Sequence, residues 1–83
     1  MLTQAEIREK VIAIVTAILP DEDLKGIKDD VTLKEQYGMD SMDLLDIAME
    51  IRKKFNITIP DTELVQLSTL KGCVEYIHKK LSP

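Results

Sequence analysis

The apolar residues of this chain recur three or four positions apart, and this spacing limits the folds open to it. The recurring residues near the N-terminus are Ile7, Val11, Ile14, Val15 and Ile18, and those near the C-terminus are Leu70, Val74, Ile77 and Leu81. Such spacing places apolar side chains on one face of an α-helix. Only Ile57 and Ile59 alternate with polar residues as a strand would, and no second strand is available to pair with them, so we expect an extended loop there. The pattern predicts an all-α fold.

Capping residues and helix breakers set the expected bounds of the helices. Thr3 and Glu6 have the spacing of a capping box, and Pro20 stops the first helix. Asp40 follows the breaker Gly38 and is a good N-cap for the second long helix. The remaining start signals are Pro60 and Asp61 for a short helix and Ser68 or Thr69 for the last one. The predicted helices cover residues 3–19, 41–55, 61–66 and 69–81.

Together these helices predict a small antiparallel four-helix bundle, with three long helices and one short one. The 83 residues are enough for a single domain, 1–83, and too few for a second core. The first connection, residues 21–37, is long and polar, and we expect a loop there. Its apolar residues are expected to anchor it to the core, and they are Leu24, Ile27, Val31 and Leu33.

Composition narrows the classes of function. Fifteen acidic residues against eleven basic ones give a net charge of −4, which disfavours nucleic acid and anionic membranes and favours partners with basic surfaces. A domain this short has little room for a buried active site. Cys73 is the only cysteine, which excludes an internal disulfide or a multi-thiolate zinc site and fits a reducing compartment. Charged residues from Arg8 to Lys10 interrupt the early apolar stretch, so no membrane span is predicted, and we expect a cytoplasmic monomer.

A serine stands at the predicted start of the second helix. The stretch from Gly38 to Asp61 reads GMDSMDLLDIAMEIRKKFNITIPD. This stretch resembles the second helix of acyl carrier proteins, whose core is Asp-Ser-Leu at a helix start. The matching features are the Asp40-Ser41 pair with a long aliphatic residue after it, Phe55, the alternation of Ile57 and Ile59, and Pro60-Asp61. Residues 31–38 and 73–77 are also similar to the family, so the resemblance covers nearly the whole chain.

The resemblance implies a carrier and not an enzyme. It implies that Ser41 bears a 4′-phosphopantetheine arm, which a phosphopantetheinyl transferase takes from coenzyme A. The thiol of the arm would hold an acyl chain as a thioester and present it to acyl-transferring, condensing or ligating enzymes, in fatty acid, polyketide or related biosynthesis. A serine at a helix start has an exposed hydroxyl, and unpaired backbone N–H groups lie near it. No catalytic residue and no metal ligand is expected, since the only histidine, His78, lies in the last predicted helix.

In the family, the outward face of this helix docks partner enzymes that have basic surfaces. At about 100° per residue, Met42, Asp46 and Met49 lie opposite the apolar face. The candidates for partner recognition are Asp40, Met42, Asp43, Leu45, Asp46, Met49, Glu50, Arg52 and Lys53. Three cations, Arg52 to Lys54, stand where carriers of fatty acid synthesis typically have acidic residues. Either they complement the helix dipole, or they mark a dedicated set of partners.

The second and last helices are expected to line an almost purely aliphatic interior. The residues concerned are Leu44, Ile47, Ile51, Phe55, Val74 and Ile77. Ordinary core packing explains them, and the resemblance adds that helices of this fold can part to shelter an acyl chain. A core with few rigid aromatic rings would rearrange more readily to admit such a chain.

Other interpretations remain open at this point. Ser41 could merely cap the second helix, and the arm could carry aminoacyl or peptidyl groups, although Asp40 before the serine favours acyl carriers. An adaptor without a prosthetic group gives no reason for the Asp40-Ser41 turn. Asp21, Asp23, Gly26 and Asp29 match positions 1, 3, 6 and 9 of an EF-hand calcium loop. Positions 5 and 12 are Lys25 and Thr32, which do not supply the expected ligands.

Overall fold

The computed structural model describes residues 2–82, and within them the chain forms five helical segments. These are α1 (Gln4–Ile18), α2 (Leu33–Tyr37), α3 (Ser41–Phe55), a 3₁₀ helix (Asp61–Leu67) and α4 (Leu70–Leu81). No strand occurs in the described part of the chain, where the only β-type pairing is an isolated bridge between Thr32 and Thr69. The all-α prediction is confirmed.

α1 begins and ends close to the predicted bounds. The Thr3 hydroxyl accepts a hydrogen bond from the Glu6 N–H, and the Glu6 carboxylate accepts one from the Thr3 N–H, as a capping box requires. The helix buries four aliphatic residues, Ile7, Val11, Ile14 and Val15. Ile18, at its end, is half-buried.

α1 packs against α3 and α4, and the 3₁₀ helix packs against the same two helices. The shared core is aliphatic, with Phe55 and Tyr76 as its buried aromatic residues. Five of the six predicted interior residues are buried, and they are Ile47, Ile51, Phe55, Val74 and Ile77. Leu44 is an exception, since it is only half-buried and packs against the edge of the core.

The connection between α1 and α3 was predicted to be a loop, and this is wrong for residues 33–37, which form α2. Thr32 caps this short helix by accepting a hydrogen bond from the Glu35 N–H, and Leu33 is buried beneath it. The Leu33 N–H donates to the Ser68 carbonyl at 2.9 Å, which joins α2 to the segment before α4. Helix α2 therefore depends on a contact with a distant part of the chain.

Three of the four predicted anchors of this connection, Leu24, Ile27 and Leu33, are buried in the core, whereas Val31 is half-buried and is not part of the core. Polar contacts fix the same segment. The Gln36 amide nitrogen donates to the Lys28 and Val31 carbonyls, and its oxygen accepts from the Lys28 N–H, all at 2.7 Å. The first connection is thus a well-held segment.

After α3 the chain turns at Asn56, whose φ of 54° is left-handed, and runs without regular secondary structure to Pro60, whose backbone is extended. Ile59 is buried and Ile57 is half-buried. The expectation of a loop rather than a strand is confirmed. The 3₁₀ helix follows, one residue longer than predicted, and it buries only Leu67.

Thr69 is the N-cap of α4, and its hydroxyl accepts a hydrogen bond from the Gly72 N–H at 2.9 Å. Gly72 lies so close to the 3₁₀ helix that an added Cβ would be 2.2 Å from the Gln66 carbonyl oxygen. The neighbouring Cys73 is fully buried, and its thiol donates to the Leu67 carbonyl at 3.3 Å. Gly72 and Cys73 therefore serve the close packing of α4 against the 3₁₀ helix.

No helix within residues 2–82 is long and apolar enough to cross a membrane.

Candidate functional site

The start of α3 is held by two carboxylates. The Asp40 side chain accepts a hydrogen bond from the Asp43 N–H at 3.0 Å, and the Asp43 side chain accepts one from the Asp40 N–H at 3.2 Å. These bonds form a reciprocal capping box, so Asp40 is the N-cap as predicted. The alternative that Ser41 caps this helix is wrong. Asp43 completes the capping box, so both candidates for partner recognition, Asp40 and Asp43, also hold the start of α3.

Ser41 is the first residue of α3, and its side chain is exposed. No side-chain hydrogen bond involves its hydroxyl among the described residues. The Asp43 N–H is bound by the Asp40 carboxylate, whereas the N–H groups of Ser41 and Met42 have no acceptor within the helix. The site therefore presents a free hydroxyl beside backbone donors.

The turn before Ser41 is fixed from both sides. Gly38 has a φ of 69°, a left-handed conformation that favours glycine, and its N–H donates to the Lys34 carbonyl at 2.8 Å. Met39 is only 5% exposed and anchors the turn in the core. The sequence analysis did not identify Met39, although its position between a breaker and an N-cap is a usable signal.

A crevice of about 640 Å³ opens beside Ser41. α2 and the turn form one wall, Leu44 of α3 forms another, and Ser68 contributes from the segment before α4. Its lining residues are Thr32, Leu33, Lys34, Gly38, Met39, Asp40, Ser41, Leu44 and Ser68. The charged residues among them are Lys34 and Asp40. Sequence reasoning missed this crevice because α2 was not predicted.

The outward face of α3 mixes exposed apolar and acidic side chains. Met42, Leu45 and Met49 are 72%, 45% and 50% exposed, and Asp46 and Glu50 are exposed among them. The predicted outward orientation of the two methionines is confirmed. Val65, on the 3₁₀ helix, is a further exposed apolar residue that the sequence did not indicate, at 71%.

The three cations at the end of α3 differ in their surroundings. Arg52 donates from Nη2 to the Ile59 carbonyl and lies 3.9 Å from Asp61, and its buried Nε has no hydrogen-bond partner. It therefore joins α3 to the start of the 3₁₀ helix, a role that the candidate list did not foresee. Lys53 lies 4.0 Å from Glu50, and Lys54 is exposed.

The acidic segment that resembles a calcium loop is engaged in other contacts. Both carboxylate oxygens of Asp29 accept hydrogen bonds at 2.9 Å from the Arg8 guanidinium, which holds the pKa of this carboxyl below its usual value. Asp23 accepts a hydrogen bond from the Lys25 N–H at 2.9 Å. Within residues 2–82, no group of three or more His, Cys, Asp or Glu side chains is placed to hold a metal ion.

Cys73, the one thiol of the chain, is poorly reactive in the folded protein. Burial raises the pKa of the Cys73 thiol to about 12, so the thiolate is scarce at neutral pH. His78 is half-buried in the last turn of α4. Neither residue lines the crevice beside Ser41. The described lining of the crevice therefore offers the Ser41 hydroxyl no histidine as a general base.

Comparison of the sequence with known protein families finds one that matches most of the chain. Residues 9–77 match the family described as "Phosphopantetheine attachment site". The match includes α2, α3, the 3₁₀ helix and most of α4, and it contains Ser41 and the crevice.

Individual relatives agree over nearly their full lengths. The chain is 32% identical to "Acyl carrier protein" of Chlorobium phaeobacteroides over 79 residues, which is 95% of this chain and 100% of that protein. It is 32% identical to "Acyl carrier protein" of Thermotoga maritima over 77 residues, which is 89% of this chain and 95% of the relative. It is 33% identical to "Acyl carrier protein" of Guillardia theta over 81 residues, which is 98% of this chain and 99% of the relative.

Proposed function

Because this chain belongs to the phosphopantetheine attachment-site family and carries acyl groups, we propose that its prosthetic arm is attached to the Ser41 hydroxyl. Family membership makes the chain a carrier and not a catalyst, with 4′-phosphopantetheine as its prosthetic group. When bound, the arm supplies a thiol that holds an acyl group as a thioester. The chain's own residues have to present the attachment point, tolerate the arm and dock the enzymes.

The free hydroxyl of Ser41 is the observation that carries this proposal. Asp40 and Asp43 complete the cap on either side of it, so the hydroxyl is not needed to hold the helix. Its exposure at the first position of α3 lets an enzyme reach it without unfolding the domain. Ser68 also lines the crevice, but it is half-buried and its carbonyl is bound to α2.

In the proposed attachment step, the Ser41 oxygen forms a bond to the phosphorus next to the pantetheine part of coenzyme A. The bond from that phosphorus to the oxygen bridging the two phosphates breaks, and the adenosine-containing half leaves with its electron pair. The serine proton passes to a base of the transferase, because the crevice lining offers no histidine. The transferase is a separate enzyme.

The surroundings of Ser41 suit the arm. The exposed helix start imposes no steric limit on a bulky substituent, and the crevice beside it offers apolar contacts from Leu33, Met39 and Leu44. The unpaired N–H groups at the start of α3 favour an anion there, whereas Asp40 and Asp43 oppose it. A positive charge nearby would offset this repulsion of the phosphodiester.

We propose that partner enzymes dock on the outward face of α3. Met42, Leu45 and Met49 supply an exposed apolar strip next to the attachment point, and methionine adapts to several partners in turn. Asp46 and Glu50 attract enzymes with basic surfaces. Lys53 lies on the same face at helical spacing from Met42 and Met49, so we propose that a partner offers an acidic group at that end.

We also propose that the aliphatic core shelters part of a long acyl chain. The residues concerned are Ile47, Ile51, Phe55, Val74 and Ile77, with Leu44 at the edge beside the crevice. The 3₁₀ helix covers this region while burying only Leu67, and few buried apolar contacts mean that a segment opens locally at low cost. Because the arm works only as a reduced thiol, the carrier would act in a reducing compartment such as the cytoplasm.

Intact-mass measurement tests the attachment site. The wild-type chain, Ser41→Ala and the matched control Ser68→Ala are incubated with coenzyme A and a broad-specificity phosphopantetheinyl transferase. We expect one phosphopantetheine per molecule in the wild type and in Ser68→Ala, and none in Ser41→Ala. Modification of Ser41→Ala, or its loss in Ser68→Ala alone, would refute the assignment.

A further inference from the structure

We propose that Lys34 forms an ion pair with the phosphodiester of the arm and thereby directs the arm along the crevice beside Ser41. This inference rests on attachment at Ser41, and it concerns a residue outside the sequence-based list of candidates.

Lys34 and the attachment point are near each other in the fold. Lys34 and Ser41 line the same crevice. The Lys34 carbonyl accepts a hydrogen bond from the Gly38 N–H at 2.8 Å, and Ser41 follows Gly38 by three residues, which span at most about 11 Å. A lysine side chain is long and flexible, so its ammonium group can meet a phosphate bonded to the Ser41 oxygen.

The charges around Ser41 make this pairing favourable. The carboxylates of Asp40 and Asp43 lie beside the attachment point, so a phosphodiester there adds a third negative charge. Lys34 is the one cation lining the crevice. Among the described residues it forms no ion pair, whereas Arg8, Arg52, Lys53 and Lys80 each have an acidic partner.

The pair would also orient the rest of the arm. With the phosphodiester drawn toward α2, Leu33 and Leu44, which line the crevice, would supply apolar contacts to the first part of the arm. Lys34 acts here as a positioning residue. Because its side chain is exposed, the interaction is weak and sensitive to salt.

The inference is tested by a double-mutant-type cycle, in which the Lys34 charge is removed in protein with and without the arm and the two changes in stability are compared. The variants are Lys34→Gln, the charge-retaining Lys34→Arg, and the control Lys25→Gln, which neutralises an exposed lysine that does not line the crevice. For each, Tm is measured with and without the arm, at low ionic strength and at high salt. The ³¹P chemical shift of the phosphodiester is recorded in parallel, as a readout that does not depend on stability.

We expect the change in Tm on loading to be more positive in the wild type than in Lys34→Gln by about 1–5 °C at low salt, and the difference to vanish at high salt. Lys34→Arg and Lys25→Gln should behave like the wild type, and only Lys34→Gln should shift the ³¹P signal. Equal loading shifts and equal ³¹P signals in all four proteins would overturn the inference. Intact mass separates this failure from that of the proposed function, since a chain that is loaded on Ser41 yet shows no coupling refutes only the role of Lys34.

Discussion

Asp40 and Asp43 each accept a hydrogen bond from the backbone N–H of the other, and this pair of bonds brackets Ser41. The helix start is therefore complete without the serine hydroxyl. An attachment residue that also capped its helix would lose its cap whenever it was modified. Under the proposed attachment, modification of Ser41 would leave the cap intact, which suits a residue that is loaded after the domain has folded.

Replacing Asp40 by Ala should weaken this cap. We expect the free energy of unfolding to fall by about 1 kcal/mol, within the range of roughly 0.5–2 kcal/mol for lost N-caps. Urea denaturation measures this change. Asp46→Ala is the matched control, because Asp46 is an exposed acidic residue inside the same helix, and its removal should change stability by less than about 0.5 kcal/mol. Equal effects of the two substitutions would contradict the capping role.

The sequence predicted α3 well because its signals are local. Gly38 and Asp40 mark its start, and the apolar spacing through Ile47, Ile51 and Phe55 defines its buried face. The same local signals identified Ser41 and the outward methionines. A helix of this length, with a cap and an amphipathic pattern, is specified by residues that lie next to one another in the chain.

The features that the sequence missed depend on distant contacts. α2 is five residues long with one buried side chain, and its Leu33 N–H is bound to the Ser68 carbonyl. Arg52 looked like a charge at the end of a helix, yet its guanidinium binds the Ile59 carbonyl. The crevice beside Ser41 combines residues from 32 to 68. No pattern within a single segment contains these pairings.

Charge reversal at Lys53 should change the interaction with partners. We expect Lys53→Glu to lower kcat/KM by roughly tenfold, mainly through KM, for an enzyme that docks on the outward face of α3, since it would place like charges together. The matched control is Lys54→Glu, which lies about 100° further around the helix and should have a smaller effect. Steady-state kinetics with enzymes that act on the loaded chain provide the comparison. Unchanged kinetics for both variants would argue against an acidic group opposite Lys53.

The two thiols of the loaded protein should differ sharply in reactivity. Burial raises the pKa of the Cys73 thiol to about 12, so at pH 8 only about one molecule in ten thousand carries the thiolate, against roughly a quarter for a thiol of pKa near 8.5. Native loaded protein should therefore react with one equivalent of iodoacetamide, on the arm, and native unloaded protein with almost none. Mass spectrometry counts the adducts, with urea-unfolded protein as the positive control for Cys73. Rapid labelling of Cys73 in the native unloaded chain would show that α4 does not protect it.

A long acyl chain on the arm should raise the melting temperature. If the aliphatic interior shelters the chain, binding it in the folded state stabilises that state, because the unfolded chain offers no such site. We expect the form carrying a long saturated acyl group to melt several degrees above the form with a free thiol, and an acetylated form to melt close to the latter. Calorimetry of the three forms makes the comparison. Equal melting temperatures would count against shelter in the core.

Peptide mapping of the loaded chain tests the attachment at Ser41 most directly. Cleavage after Lys34 and Arg52 releases a peptide of residues 35–52, in which Ser41 is the only aliphatic hydroxyl and Tyr37 the only phenol. The account predicts that the phosphopantetheine mass is found on this peptide and that fragment ions place it on Ser41. A loaded protein whose added mass lies on Tyr37, or on a peptide containing Ser68, would contradict it.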